Sequence, residues 1–507
     1  MKKSSCIGTV FAVFFAEAQS VQVSARSLTR HFLQQASAEL YQQVYFVKTE
    51  EKRMSNEVKQ PKKYGFKAFI PMFVFLGLYL GGGIYFTLAG TVEQPWNQFP
   101  RHAAILIGIV VAFLMNRYMP LPEKISKFCK AAGDEGCMLM CMIFLVAGAF
   151  SGVCKSMGGV TSVVNLGLSV LPVHFVLPGI FIITALVATA IGTSSGALVA
   201  IAPIALAIAE ETGASIPLYF AAVYGGALFG DNLSIISDTT IAATAAVGAE
   251  MKDKFRMNFL IALPAALLSI VVYFFLGKGA APISGDMSYN LLHLIPYIYV
   301  LITALCGMDV FVVLFSGTFI AGIVGIVTGS MTIAGFVQAI GTGMAGMMST
   351  AIVAILLRGL IGIISEYGGV DWLITAMRKR VHSRKGAEYC ISAMSGLLDF
   401  ALINNTIAIM IAGPLAKDIA DEHHIAPKRV ASLLDIFACA VHGMAPHGGG
   451  MLTLSGFYAA LNPLLVVKYN VYCIFLMIAA IVTIQFGLMR TKEEKEYIQQ
   501  QKQAAVK

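Results

Sequence analysis

Between residues 66 and 489 the chain is a succession of apolar runs. They fall at 66–90, 103–119, 137–155, 174–191, 196–209, 217–248, 257–277, 290–307, 309–328, 345–365, 389–403, 405–416, 429–463 and 471–489. Most approach the roughly 20 residues that cross a hydrocarbon core. A backbone in hydrocarbon has no water to bond, so only helices or a closed barrel satisfy it. Apolar runs this long, without strict alternation, are helices. The chain therefore reads as an all-α polytopic membrane protein, surrounded by membrane lipid. Only 13% of its 507 residues are charged, against about 25% in soluble domains. The net charge of +8 is gathered in clusters beside apolar runs. That is the pattern of cytoplasmic loops, not of a nucleic-acid-binding face. The nine cysteines are scattered with no CxxC pair, so disulfides, a metal cluster and a bound cofactor are not expected.

Residues 1–65 read as an N-terminal extension outside the fold. Met1-Lys2-Lys3, the apolar run from Ile7 to Phe15 and Ala16-Glu17-Ala18 have the form of a signal peptide. Yet Lys52, Arg53, Lys59, Lys62, Lys63 and Lys67 flank the first full-length run, and such a cluster prefers the cytoplasm. The favoured reading is translation from Met54. A first membrane unit then spans 66–277, a linker 278–289, a second unit 290–489, and a cytoplasmic tail 490–507.

The two units look like one unit used twice. Met157-Gly158-Gly159-Val160 matches Tyr367-Gly368-Gly369-Val370, and Pro217 matches Pro427, both at an offset of 210. Pro203 and Pro414 differ by 211. The pairs 174–191/196–209 and 389–403/405–416 have short arms and polar junctions, Gly192-Thr193-Ser194-Ser195-Gly196 and Asn404-Asn405-Thr406. Both read as re-entrant hairpins, tolerated at membrane depth only where backbone lines a cavity or is buried in protein. The basic loops then exchange sides. Loop 117–135 carries Arg117, Lys124, Lys127 and Lys130, while its counterpart 327–345 carries none. Loop 156–173 has no Lys or Arg, while 366–388 carries Arg378, Lys379, Arg380, Arg384 and Lys385. By the positive-inside rule the repeats are inverted. The expected layout is about ten transmembrane helices plus two re-entrant hairpins, with both termini cytoplasmic in a prokaryotic plasma (inner) membrane.

Polar groups at membrane depth converge from four places. The run Gly230-Asp231-Asn232-Leu233-Ser234-Ile235-Ile236-Ser237-Asp238-Thr239-Thr240 breaks an apolar helix and supplies Asp231, Asn232, Ser234, Ser237, Asp238 and Thr239. The first hairpin tip supplies Thr193, Ser194 and Ser195. The second supplies Asn404, Asn405 and Thr406, with Asp399 just before it. A second broken helix supplies His442, Pro446 and His447 before Gly448-Gly449-Gly450. Carboxylate, hydroxyl and amide oxygens with unwound carbonyls suit a hard monovalent cation. An ionisable carboxylate also admits a competing proton. Intramembrane charge is costly and therefore functional by default, which singles out Asp231 and Asp238 as Na+ ligands. The bland readings stand beside this one. Serine and threonine in membrane helices often only bond the previous turn. His442 and His447 are equally readable as packing residues. Arg358 needs a counter-charge, which Asp309 or Asp399 could supply. Asp435 and Glu366 read as membrane-edge residues, and Lys252, Lys254 and Arg256 as a cytoplasmic cluster.

Gly225-Gly226-Ala227-Leu228-Phe229-Gly230-Asp231-Asn232-Leu233-Ser234-Ile235-Ile236-Ser237-Asp238-Thr239-Thr240 resembles the signature of NhaC-type sodium/proton antiporters, with Ile235 where that family tends to have proline. Gly192-Thr193-Ser194 is similar to the family's hairpin tip. The resemblance implies the ion-transporter superfamily fold of inverted repeats with two hairpins, and Na+ and H+ as partners. Dicarboxylate and amino-acid carriers share that superfamily, and Asn404-Asn405-Thr406 resembles the tips of the former. The expected function is secondary active exchange of Na+ for H+. The alternative is a Na+- or H+-coupled carrier of an amino acid or small organic acid, with Arg358 and the histidines serving the anion. No phosphate loop, metal cluster or nucleophile elbow points to an enzyme. Oligomeric state stays open, a homodimer included.

Overall fold

In the computed structural model, the described residues are 63–92, 94–170, 172–235, 237–277, 288–306, 308–378, 383–490 and 494. The signal-like run, Met54, most of the 278–289 linker, Lys379, Arg380, Lys492 and Lys495 lie outside them. Lys63–Lys507 forms one compact unit.

The first series of helices runs α1 (Ile70–Ala89), α2 (Arg101–Met115), α3 (Leu121–Ala132), α4 (Glu135–Ser156), α5 (Gly159–Val170), α6 (Val173–Ile191), α7 (Ser194–Glu211), α8 (Ile216–Leu233), α9 (Asp238–Val247) and α10 (Met251–Leu276). The second runs α11 (Ile295–Leu305), α12 (Val310–Val327), α13 (Ile333–Glu366), α14 (Gly369–Arg378), α15 (Arg384–Leu402), α16 (Asn405–Glu422), α17 (Pro427–Met444), α18 (Gly449–Phe457), α19 (Pro463–Tyr469) and α20 (Val471–Gln485). The order repeats closely. Helices α6 to α9 and α15 to α18 have starting residues 211 positions apart in each pair, as Ser194 is from Asn405. Among the described residues, nine helices are long and apolar enough to cross a membrane, or ten if the bent pair α19 and α20 is one span.

The hairpin arms are longer than their apolar runs suggest. Helix α7 continues to Glu211 and α16 to Glu422, giving each 18 residues, or about 27 Å at 1.5 Å per residue. Length alone therefore does not distinguish a re-entrant arm from a full crossing.

Helices pack closely where small residues meet. A Cβ added to Gly148 would strike the carbonyl of Gly343, and one added to Gly343 would strike the carbonyl of Gly148. Backbone therefore touches backbone between α4 and α13, the small-residue packing of membrane interiors. The cysteines at 137, 141, 154, 390, 439 and 473 are free and buried. Among the described residues, two buried pairs join a lysine or arginine to a carboxylate within the bundle. Arg429 donates to Glu388 at 2.9 Å, and Lys254 meets Asp435 at 2.6 Å. Neither Lys254 nor Asp435 faces solvent, as a loop cluster would: both are essentially fully buried.

Candidate functional site

Two broken helices and two helix junctions build the site. Helix α8 ends at Leu233, Ser234 and Ser237 are extended, and α9 begins at Asp238. The break falls where the sequence predicts it, although Ile235 is not proline. Four C-terminal carbonyls of any helix lose their intrahelical partners, and in a dry interior they need replacements. Here the Asn232 carbonyl accepts from Lys254 Nζ and from Asn258 Nδ2, both at 3.2 Å. The Ser234 carbonyl accepts from Thr240 Oγ1 at 2.8 Å, and Lys254 Nζ also reaches Thr240 Oγ1 at 2.6 Å. One lysine on α10 thus holds both sides of the break, with Asp435 as its counter-charge. Asn258 Nδ2 donates to Asp435 as well, at 2.8 Å.

The second break mirrors this. Helix α17 ends at Met444, and α18 begins at Gly449. The His442 carbonyl accepts from Tyr224 Oη at 2.9 Å, and the Gly443 carbonyl accepts from Asn470 Nδ2 at 3.0 Å.

At the junction of α6 and α7, Gly192 adopts a left-handed conformation at φ 80° and Thr193 is extended. At the junction of α15 and α16, the left-handed residue is Ile403 at φ 57°. A β-branched residue there is strained, and such strain persists only where the surroundings over-determine it. Asn404 then caps α16, its Oδ1 accepting from the Ile407 amide at 2.8 Å.

These elements line a cavity of about 280 Å³. Its lining includes Asp231, Asp238, Thr193, Ser194, Ser195, Asn404, Asn405, Thr406 and Arg358. The two aspartates are held differently. Asp231 accepts a short hydrogen bond from the Ser237 hydroxyl, and Ser237 Oγ lies 2.8 Å from Thr239 Oγ1. Asp238 accepts from Thr406 Oγ1 at 2.6 Å, a bond that joins the first broken helix to the start of α16. Both carboxylate residues, the hydroxyl residues of the first junction and Thr406, and the amide residues Asn404 and Asn405 therefore line one cavity.

Other candidates stand elsewhere. Asn232 does not line the cavity, because its side chain turns to Tyr472 Oη at 3.3 Å. Ser234 donates to the Thr189 carbonyl at 2.9 Å, so it ties α8 to α6. His447 Nε2 lies 3.0 Å from the Phe400 carbonyl and is buried. Asp399 pairs with His442 Nδ1 at 3.1 Å. Neither Asp399 nor Asp309 serves Arg358, whose partner is Asp134 at 3.2 Å. Asp309 instead caps α12, accepting from the Phe311 amide at 2.9 Å. Sequence reasoning missed the Lys254–Asn258–Asp435 cluster. Its signal was Lys254 and Asn258 one helical turn apart, obscured by the basic neighbours Lys252 and Arg256.

A model of the Na+/H+ antiporter family matches residues 9–278 and 289–490. The chain is 21% identical over 436 residues to the Na(+)/H(+) antiporter NhaC of Alkalihalophilus pseudofirmus, covering 78% of this chain and 91% of that protein. It is 23% identical over 419 residues to an uncharacterized Na(+)/H(+) antiporter of Haemophilus influenzae, covering 75% and 87%. It is also 20% identical over 426 residues to the malate-2H(+)/Na(+)-lactate antiporter of Bacillus subtilis, covering 77% and 88%. Matched along most of its length, and carrying paired carboxylates at a helix break inside a helical membrane bundle, this chain belongs to the Na+/H+ antiporter family.

Proposed function

We propose that Na+/H+ exchange in this chain runs through the cavity between the hairpin tips, with Na+ and protons excluding one another at Asp231 and Asp238. The observation that carries this reading is the bond from Thr406 to Asp238 across the two series of helices. It joins a carboxylate of one broken helix to the tip of the opposite hairpin, beside the enclosed Asp231. A Na+ ion entering here meets two carboxylates and competes with the hydroxyl hydrogens that now satisfy them. Its positive charge lowers the carboxylates' hold on protons, and a proton lowers their hold on Na+. The two effects are equal by linkage.

Alternating access is supported by the repeated helix order and by the exchange of basic loops between the series. We place the first series and the second in opposite orientations, with both termini in the cytoplasm of a prokaryotic inner membrane. The test is reconstitution in proteoliposomes with an imposed Na+ gradient. Proton movement driven by that gradient is expected from Na+ alone, and none would overturn the reading.

A second reading has its own observation. Arg358 contributes a guanidinium to the same cavity, and a volume of about 280 Å³ exceeds the roughly 30 Å³ that one water occupies in liquid. A small carboxylate fits that chemistry, and one relative is named for malate and lactate. The same proteoliposomes, given a panel of hydroxy and amino acids, separate the two readings. Na+-driven uptake of an acid, lost in Arg358→Gln, favours the carrier.

A further inference from the structure

His442 occupies the place in α17 that Asp231 occupies in α8, each fifteen residues after the start of its helix at Pro427 or Ile216. The repeat thus sets an imidazole at the position equivalent to the carboxylate of the exchange site. His442 and Asp399 form a buried pair, their side chains 8% and 0% exposed, with Nδ1 and Oδ1 3.1 Å apart. A hydrogen bond at Nδ1 fixes that nitrogen's proton toward the carboxylate and leaves Nε2 with its lone pair. On that side stands Gly449, where an added Cβ would sit 3.9 Å from Nε2. Gly449 itself lines the cavity. The other oxygen of Asp399, Oδ2, is buried with no hydrogen-bond partner among the described residues.

From this geometry we infer that the His442–Asp399 pair is a second proton-binding site, reached from the cavity past Gly449 and emptied when Na+ occupies Asp231 and Asp238. The inference rests on the cavity being the exchange site. The step is a plain proton transfer. A hydronium in the cavity gives its proton to Nε2, the imidazole becomes imidazolium, and Asp399 supplies the facing negative charge. The titratable and charged groups on the packed helices set the balance. Asp399 comes from α15, Tyr224 and Asp231 from α8, and Asp238 from α9. Lys254 comes from α10, Tyr472 and Cys473 from α20, and Asp435 and Cys439 from α17 itself, with His447 in the loop that follows. Lys254 and Asp435 neutralise each other. What remains near His442 is the field of its own partner Asp399 and of Asp231, which lines the cavity that Gly449 also lines. A Na+ ion bound at Asp231 cancels that field and repels an imidazolium.

The consequence is a count. Detergent-solubilised protein should release about two protons for each Na+ bound, one from the aspartates and one from His442, since linkage ties bound sodium to released protons. Titration with NaCl in two buffers of different ionisation enthalpy reads that number. His442→Gln should release about one while still binding Na+. In proteoliposomes the membrane potential that balances a fixed Na+ gradient should shift correspondingly. A value of one in the unmodified protein would overturn the second site, whether or not the variant folds. Equal values in the two proteins would overturn it too. Failure of the unmodified protein to bind Na+ would instead sink the exchange site on which the inference rests. Gly449→Ala adds a methyl group at ordinary contact distance and should slow proton release several-fold without changing its count.

Discussion

Asp231 and Asp238 carry the same charge but are held by different parts of the chain. Asp231 is bonded from within its own helix break, and Asp238 from the far hairpin. Asp231→Asn and Asp238→Asn should each abolish Na+-driven proton flux while leaving folded protein in the membrane, because an amide neither takes up the proton nor carries the charge that holds the cation. Thr406→Ala and Ser237→Ala remove one neutral hydrogen-bonding group each. A loss of about 1 kcal/mol should raise the apparent Km for Na+ roughly five-fold in the same assay. Lys254 answers to a different physics. Lys254→Met leaves Asp435 buried without its counter-charge, which costs about 3–5 kcal/mol, and should lower the melting temperature in detergent steeply. Replacing both, Lys254→Met with Asp435→Leu, should recover most of that loss. If the double variant melts as low as the single one, the pair's role is not charge compensation. At this scale the aspartates were legible because a carboxylate inside an apolar run has no cheap explanation. Lys254 was not, since a lysine beside Lys252 and Arg256 looks solvated until the fold buries it.

The breaks in α8 and α17 show how elements are positioned to expose these groups. Each break is held by side chains that take over freed carbonyls, Lys254, Asn258 and Thr240 in one, Tyr224 and Asn470 in the other. Their position follows from sequence, because the polar runs interrupt long apolar ones. Their satisfaction does not, because all but one of the donors lie outside the broken segment, from 22 to 218 residues away. Gly230 is where α8 meets α6. An added Cβ would meet the Ala185 carbonyl and the Thr189 amide nitrogen, both backbone. Gly230→Ala should therefore destabilise by about 1–3 kcal/mol through overpacking, and should loosen the Ser234 bond to the Thr189 carbonyl. Gly341→Ala, with no atom near its added Cβ, is the matched control. Equal melting temperatures for the two variants would contradict a close contact at Gly230. Asn404 and Gly192 were visible as junction residues. The left-handed Ile403 was not, since no rule puts a β-branched residue there.

For the whole molecule, the repeated order of helices was readable from a few anchors 210 or 211 residues apart, and the charge exchange between loops predicts an orientation. Cysteines introduced in 156–173 and 366–388, in a background with its own cysteines removed, should label from opposite sides of the membrane. Labelling of both from one side would contradict inverted repeats and the alternating access built on them. The cavity is lined from both series, and in the proposed exchange both cargoes meet the same carboxylates. The most direct measurement is Na+-dependent proton flux in proteoliposomes, followed against Na+ concentration at several pH values. Competition for one site requires the apparent Km for Na+ to rise as the pH falls. The rise should reach about tenfold per pH unit for each competing proton, with the maximal rate unchanged. A Km independent of pH, with only the maximal rate falling in acid, would place the proton elsewhere and contradict the shared site at Asp231 and Asp238.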